Sequence, residues 1–205
     1  MNQRSFAWKS LQIFARIGTT LFFDLKIYGR ENVPKKGGVL LVANHQSYLD
    51  PVLVAVHLYR PVSFLAKSEL FENPFLAWLI RLLKAFPVRQ GEGDIGAVKE
   101  VIRRLGEGYA LNIYPEGTRT ETGDIEPLEK GVALVIRRAG VPVVPVAIHG
   151  SFEAWPKGSI IFHAHPIRVK YGKPMDFSGK KADEIVRELE GEMRSLLADL
   201  RKNNN

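Results

Sequence analysis

Apolar residues recur along the chain in two periods, and the two alternate. Short apolar runs at 25–28, 38–43 (GVLLVA), 62–66, 109–113 and 143–148 have the length and composition of strands. Two more runs, 159–163 and 166–171, read as strands as well. Between them lie segments with helical spacing. Pro51 to Leu58 is expected as a helix, with Asp50 at the N-cap and Pro51 first inside it. Pro74 to Lys84 carries Phe75, Trp78, Leu79, Leu82 and Leu83, and further helices are expected at 94–105 and 129–138. Residues 181–200 place Ile185, Leu189, Met193, Leu196, Leu197 and Leu200 on one face. The alternation predicts an α/β fold: a single domain with a mixed central β-sheet covered by helices. No linker or repeat divides it. An N-terminal amphipathic segment, residues 1–28, is expected to precede a domain spanning 29–205.

The N-terminal segment has a composition of its own. Phe6, Leu11, Phe14, Ile17, Leu21 and Phe22 line one broad face, and Lys9, Arg16 and Asp24 interrupt it. A spanning helix needs about 20 mostly apolar residues, and no window of the chain provides them. An interfacial helix and a core-packing helix both satisfy the pattern. The chain has 205 residues, no cysteine and a formal charge of +7. The absence of cysteine excludes disulfides, a zinc-thiolate site, an iron–sulfur cluster and a cysteine nucleophile. The positive balance favours an anionic partner, such as a phospholipid surface, a phosphorylated substrate or nucleic acid. No reader motif for nucleic acid accompanies it, so none is expected.

Two polar elements follow buried strands, where open α/β sheets bind their ligands. The first is Asn44-His45-Gln46-Ser47-Tyr48-Leu49-Asp50. A carboxylate at Asp50 that reaches one nitrogen of His45 would fix the tautomer and leave the other nitrogen to take a hydroxyl proton. Taken alone, the spacing reads more simply as a helix cap and a loop histidine. Ser47 as a nucleophile lacks the G-x-S-x-G elbow. The second element is Tyr114-Pro115-Glu116-Gly117-Thr118-Arg119-Thr120. Gly117 lets backbone amides approach an anion, Thr118 adds a hydroxyl, and Arg119 offers a fork that matches phosphate. Glu116 could hold that fork or bind a substrate hydroxyl. A Glu–Arg surface turn is the plainer alternative. A formal G-x-G-x-x-G at 91–96 is a turn rather than a dinucleotide site, because Glu92 and Asp94 would repel a pyrophosphate. His163 and His165 lack a third ligand at metal-binding spacing.

NHQSYLD at 44–50 and YPEGTRT at 114–120 resemble the first and third motifs of the glycerolipid acyltransferases, most closely the bacterial 1-acylglycerol-3-phosphate acyltransferase family. Phe86-Pro87-Val88-Arg89 resembles the second motif, and Val141-Pro142-Val143-Val144-Pro145-Val146 the fourth. The four occur in the family's order, over about Gly29 to Gly172. Thr120 stands where serine is common, and Ala77 and Ala85 stand where small glycines are expected. The resemblance implies transfer of a fatty acyl group from acyl-CoA or acyl carrier protein to a lysolipid hydroxyl. It makes His45 the general base and Asp50 its partner. Arg89 and Arg119 become phosphate ligands, with Lys67 a further candidate. Glu116, Gly117 and Thr118 become part of the acceptor site. Neither cofactor nor metal is implied. The expected location is the cytoplasmic face of the inner membrane, with monotopic or peripheral attachment to the phospholipid surface. Another lysophospholipid or lyso-aminolipid acceptor, a thioesterase, and a non-enzymatic lipid-binding protein remain alternatives.

Overall fold

The computed structural model describes residues 6–82, 85–88 and 95–202. Seven strands form one sheet. They are β1 (Lys26–Tyr28), β2 (Val39–Ala43), β3 (Val62–Lys67), β4 (Ala85–Val88), β5 (Ala110–Ile113), β6 (Val143–His149) and β7 (Arg168–Tyr171). Their order is β1-β7-β6-β2-β5-β3-β4. Every pair is parallel except β6 with β7. The sheet is therefore mixed, as the alternation predicts. At its centre all five residues of β2 are fully buried, so both faces of the sheet are covered.

The helices are α1 (Phe6–Phe23), α2 (Asp50–Val56), α3 (Pro74–Leu82), α4 (Ile95–Gly106), α5 (Gly131–Ala139), α6 (Ser151–Ala154) and α7 (Ala182–Lys202). Alternation along β2 divides them into two layers. Leu40 and Val42 face Val101 and Leu105 of α4, Val132 and Ile136 of α5, and Ile185, Leu189 and Met193 of α7. Val39, Leu41 and Ala43 face Leu53, Val54 and Val56 of α2, together with Phe23 of α1. One period-2 strand thus supplies both cores.

The run at 159–163 does not form a strand. It is a loop with Ile160, Ile161 and Phe162 exposed. It has no place beside the next strand in sequence, because β7 pairs directly with β6 on one side and β1 on the other. Ser159 closes the loop locally: its Oγ donates to the Ile161 carbonyl at 2.7 Å and accepts the Ile161 N–H at 3.2 Å. Conversely, β4 forms where Pro87 argues against a strand. It occupies the sheet edge, where a missing N–H is tolerated. Asp50 is the first residue of α2 and Pro51 the second, with Leu49 at the N-cap. This places them one position further into the helix than expected.

The carboxyl end of α2 explains how α1 is attached. Its last carbonyls have no helical partners of their own. The Tyr171 hydroxyl donates to Val54 O at 2.6 Å, Arg16 Nε to Val56 O at 2.6 Å, and Gln12 Nε2 to Leu58 O at 2.9 Å. Gln12 and Arg16 of α1 therefore point into the protein, and Arg16 is committed there rather than to a headgroup. Several apolar residues point outward: Phe14 is 73% and Leu21 80% exposed, with Ile13, Ile17 and Phe22 also exposed. The Tyr171 bond tests this arrangement. Tyr171→Phe leaves a buried carbonyl short of a partner and is expected to cost about 1 kcal/mol or somewhat more. Urea denaturation measures the loss, and an unchanged midpoint would show that the bond contributes nothing.

Candidate active site

Strands β5, β2 and β6 are adjacent, parallel and end at one edge of the sheet. After β2 the chain crosses the α2 face to β3. After β5 it crosses the opposite face through α5 to β6. The crevice between β2 and β5 is thus a topological switch point, the place where open α/β sheets bind ligands. The segment beginning at Asn44 leaves β2 here, and the segment beginning at Tyr114 leaves β5.

Asn44 prolongs the ladder with its side chain. Its Nδ2 donates to Ile148 O at 3.0 Å and its Oδ1 accepts the Ile148 N–H at 2.7 Å. The chain then turns, and His45 Nδ1 lies 2.9 Å from Asp50 Oδ2. The same oxygen accepts the backbone N–H groups of Gln46 at 2.6 Å and Ser47 at 2.7 Å. Asp50 Oδ1 accepts the Ser151 hydroxyl at 2.7 Å. Asp50 is completely buried, and a buried carboxylate needs this many donors to stay charged. It caps the turn before its own helix rather than the helix itself. The His45 ring is 21% exposed and lies flat on Tyr114, with centroids 4.0 Å apart and planes 17° apart. With Nδ1 held by Asp50, Nε2 is the nitrogen left for a substrate. Burial, with Asp50 close by, pushes the Tyr114 phenol well above its ordinary range and keeps it neutral.

Glu116 joins the two segments. Its Oε1 accepts the His45 N–H at 2.7 Å and its Oε2 the Glu126 N–H at 2.9 Å. The Thr120 N–H in turn donates to His45 O at 2.8 Å. Glu116 is buried, its oxygens turned to backbone N–H groups rather than to the Arg119 fork. It shapes the site by fixing the loop that carries His45. Gly117 makes the turn with φ at 71°, and a Cβ there would lie 2.3 Å from Glu129 Oε1. Thr118 is exposed. The Arg119 guanidinium carbon lies 3.5 Å from the centre of the Tyr48 ring, close enough for a cation–π contact. Its Nη1 is buried and has no hydrogen-bond partner among the described residues.

Lys67 ends β3, whose carboxyl end lies at the same edge of the sheet. Arg89 and residues 91–94 lie outside the described residues. Among the described residues, no group of three His, Asp or Glu side chains is placed to hold a metal ion. Sequence reasoning passes over Ser151, Tyr114 as a stacking partner, and Gln46, whose Nε2 donates to Gly123 O at 2.7 Å. Ser151 follows β6 much as His45 follows β2, and that strand-end position is the available signal.

The Glu116 bracket has a pH signature. Burial pushes its carboxyl up to about 7 from an ordinary 4.5; the two backbone donors pull it down, and Asp50 adds to the rise. Between those two values the folded state keeps the proton that the unfolded state releases. Stability from this group is therefore full at low pH and lost as pH rises through about 7. Relative to Glu116→Gln, the protein should lose up to roughly 3 kcal/mol across that window. Denaturation of both proteins at its two ends measures the difference, and parallel profiles would contradict the assignment.

Comparison with known proteins identifies the family of the chain. Residues 24–149 match the family model described as Acyltransferase. The chain is 28% identical over 152 residues to 1-acyl-sn-glycerol-3-phosphate acyltransferase of Bacillus subtilis, covering 74% of this chain and 73% of that protein. It is 29% identical over 191 residues to the chloroplastic enzyme BAT2 of Brassica napus, covering 91% of this chain and 54% of that protein. The chain thus spans about half the length of that plant relative. The crystal structure of the 1-acyl-sn-glycerophosphate (LPA) acyltransferase PlsC from Thermotoga maritima superposes with a TM-score of 0.81 at 30% identity, covering 94% of this chain and 79% of that one. The matched region contains the whole of both strand-end segments, and on these grounds the chain belongs to the acyltransferase family.

Proposed function

We propose that the protein transfers a fatty acyl group from an acyl thioester, carried by coenzyme A or acyl carrier protein, to the free hydroxyl of 1-acylglycerol-3-phosphate. The product is phosphatidic acid. The observation that carries this reading is Arg119 Nη1, which has no hydrogen-bond partner among the described residues, in the same loop cluster as the His45–Asp50 pair. One cluster then offers a proton acceptor for the hydroxyl and a cation for the phosphate of one small molecule. The activities named for the Bacillus and Thermotoga relatives support the choice of acceptor. A thioesterase would need the imidazole but not the Arg119 cation.

The chemistry follows from the geometry. Asp50 fixes His45 with its proton on Nδ1 and stabilises the imidazolium that forms. Nε2 takes the acceptor's hydroxyl proton as its oxygen attacks the thioester carbonyl. The carbon–sulfur bond breaks, and the thiolate leaves with the proton that His45 returns. Tyr114 keeps the ring in plane, and Glu116 keeps the backbone beneath it in place. Arg119 orients the acceptor through its phosphate and leaves the hydroxyl at Nε2. Among the described residues, no helix is long and apolar enough to cross a membrane. The exposed apolar face of α1 supports peripheral attachment, on the cytoplasmic side, where acyl thioesters are available.

The test is thiol release from acyl-CoA with and without 1-acylglycerol-3-phosphate, with mass analysis of the lipid product. Release that requires the acceptor and yields phosphatidic acid is expected. Release that ignores the acceptor would make the protein a thioesterase. His45→Ala should lower kcat by roughly 10²–10⁴-fold in a folded protein. Arg119→Ala should weaken acceptor binding by about 1.5–3 kcal/mol, read in the acceptor KM. A neutral monoacylglycerol should be spared, and equal losses on both acceptors would mean that Arg119 supports only the fold.

A further inference from the structure

The loop following α6 presents three consecutive apolar side chains to solvent. Ile160 is 92% exposed, Ile161 61% and Phe162 47%. The loop is not slack. Besides the Ser159 bonds to Ile161, Trp155 Nε1 donates to Ser159 O at 2.8 Å and the His163 N–H to Ala154 O at 2.8 Å. A folded chain that holds such residues outward by specific hydrogen bonds has built a surface for an apolar partner.

That surface is continuous in two directions. Toward the N-terminus, Phe162 meets Phe22 with ring centroids 5.7 Å apart and Phe23 at 6.2 Å. The loop therefore abuts the outward apolar face of α1. Toward the site, Phe162 lies 5.8 Å from Trp155, Trp155 lies 5.5 Å from Tyr48, and Tyr48 carries the Arg119 guanidinium. An unbroken line of aromatic rings thus leads from α1 to the cation beside His45. We propose that the loop Ser159–Phe162 and the outer face of α1 form one bilayer-docking face, which seats the mouth of the active site at the level of the lipid headgroups. The proposal rests on the lysolipid acyltransferase reading.

Three features single out a bilayer. Gln12 and Arg16 of α1 are spent on the end of α2, and its exposed side chains Ile13, Phe14, Ile17, Leu21 and Phe22 are apolar. Tyr48 and Trp155 at the inner end of the line are amphipathic rings of the kind that settle at headgroup depth. The line ends at Arg119, whose Nη1 has no hydrogen-bond partner among the described residues, and there the phosphate of an interfacial lipid would lie while its chain remained against the apolar loop.

The chain has no cysteine, so a single introduced thiol carries a unique nitroxide. Labels at Ile160→Cys, Phe14→Cys and Asp183→Cys, the last in α7 on the other face of the sheet, are compared with and without vesicles of phosphatidylcholine and phosphatidylglycerol. On vesicle binding, the labels at 160 and 14 should gain contact with oxygen and lose contact with aqueous nickel, while the label at 183 stays unchanged. A label at 160 that remains in water while the one at 14 inserts would overturn the proposal. So would immobilisation at 160 that grows with protein concentration in the absence of lipid, which would point to a second copy. The pair Ile160→Asp and Ile161→Asp should weaken vesicle binding roughly tenfold or more and leave kcat in detergent micelles unchanged. Binding equal to that of the unaltered protein would again overturn it. Turnover of 1-acylglycerol-3-phosphate by the unaltered protein in micelles tests the acyltransferase reading separately, since it needs no docking face.

Discussion

A carboxylate sealed from water must be surrounded by donors, and the site of this protein is arranged around one such group. Asp50 has no exposed surface. Its four donors come from the turn after β2, from His45 itself, and from the residue that opens α6. Removing any one would leave charge without compensation, at a cost of some kcal/mol. The demand of a single buried charge therefore fixes the shape of the turn, the tautomer of the imidazole and the position of the chain beyond β6. Glu116 repeats the device with a weaker charge, bridging the same turn to the loop after β5. Two carboxylates thus convert three strand ends into one rigid edge.

The polar economy of α1 follows from the same rule. The carbonyls at the end of α2 need donors, and Gln12 and Arg16 supply them. With Gln12 and Arg16 spent inward, the large side chains that α1 turns outward are Ile13, Phe14, Ile17, Leu21 and Phe22. The exposed apolar character of this part of the molecule is therefore a by-product of how α1 is held, and it is continuous with the loop at 159–162 through edge-on and tilted aromatic contacts.

The sheet and its covering helices were legible because both depend on short-range periodicity. The buried runs 38–43 and 143–148 and the face of α7 are read directly from spacing. Two strand assignments depended instead on position in the sheet. An apolar run at 159–163 found both sides of β7 taken, and a short run containing Pro87 found a place at the sheet edge. His45 and Asp50 were visible as residues but ambiguous as a pair, since a cap and a loop histidine have the same spelling. Only the resemblance of four motifs in order removed that ambiguity. The service of Glu116 to backbone N–H groups, and of Arg16 to α2, could not be read at all. Such roles depend on which way a side chain turns, and its neighbours lie dozens of positions away in sequence.

The central claim is that Asp50 places the proton on Nδ1 and leaves Nε2 as the base. Nitrogen-15 NMR of histidine-labelled protein, at a pH where the imidazole is neutral, observes this directly. The resonances are assigned by their loss in His45→Ala. The account predicts for His45 a protonated Nδ1, with its proton shifted strongly downfield by the carboxylate, and a bare Nε2. It also predicts loss of that downfield proton in Asp50→Asn. A His45 protonated on Nε2 in the unaltered protein would contradict the account, because no acceptor would then face the substrate hydroxyl.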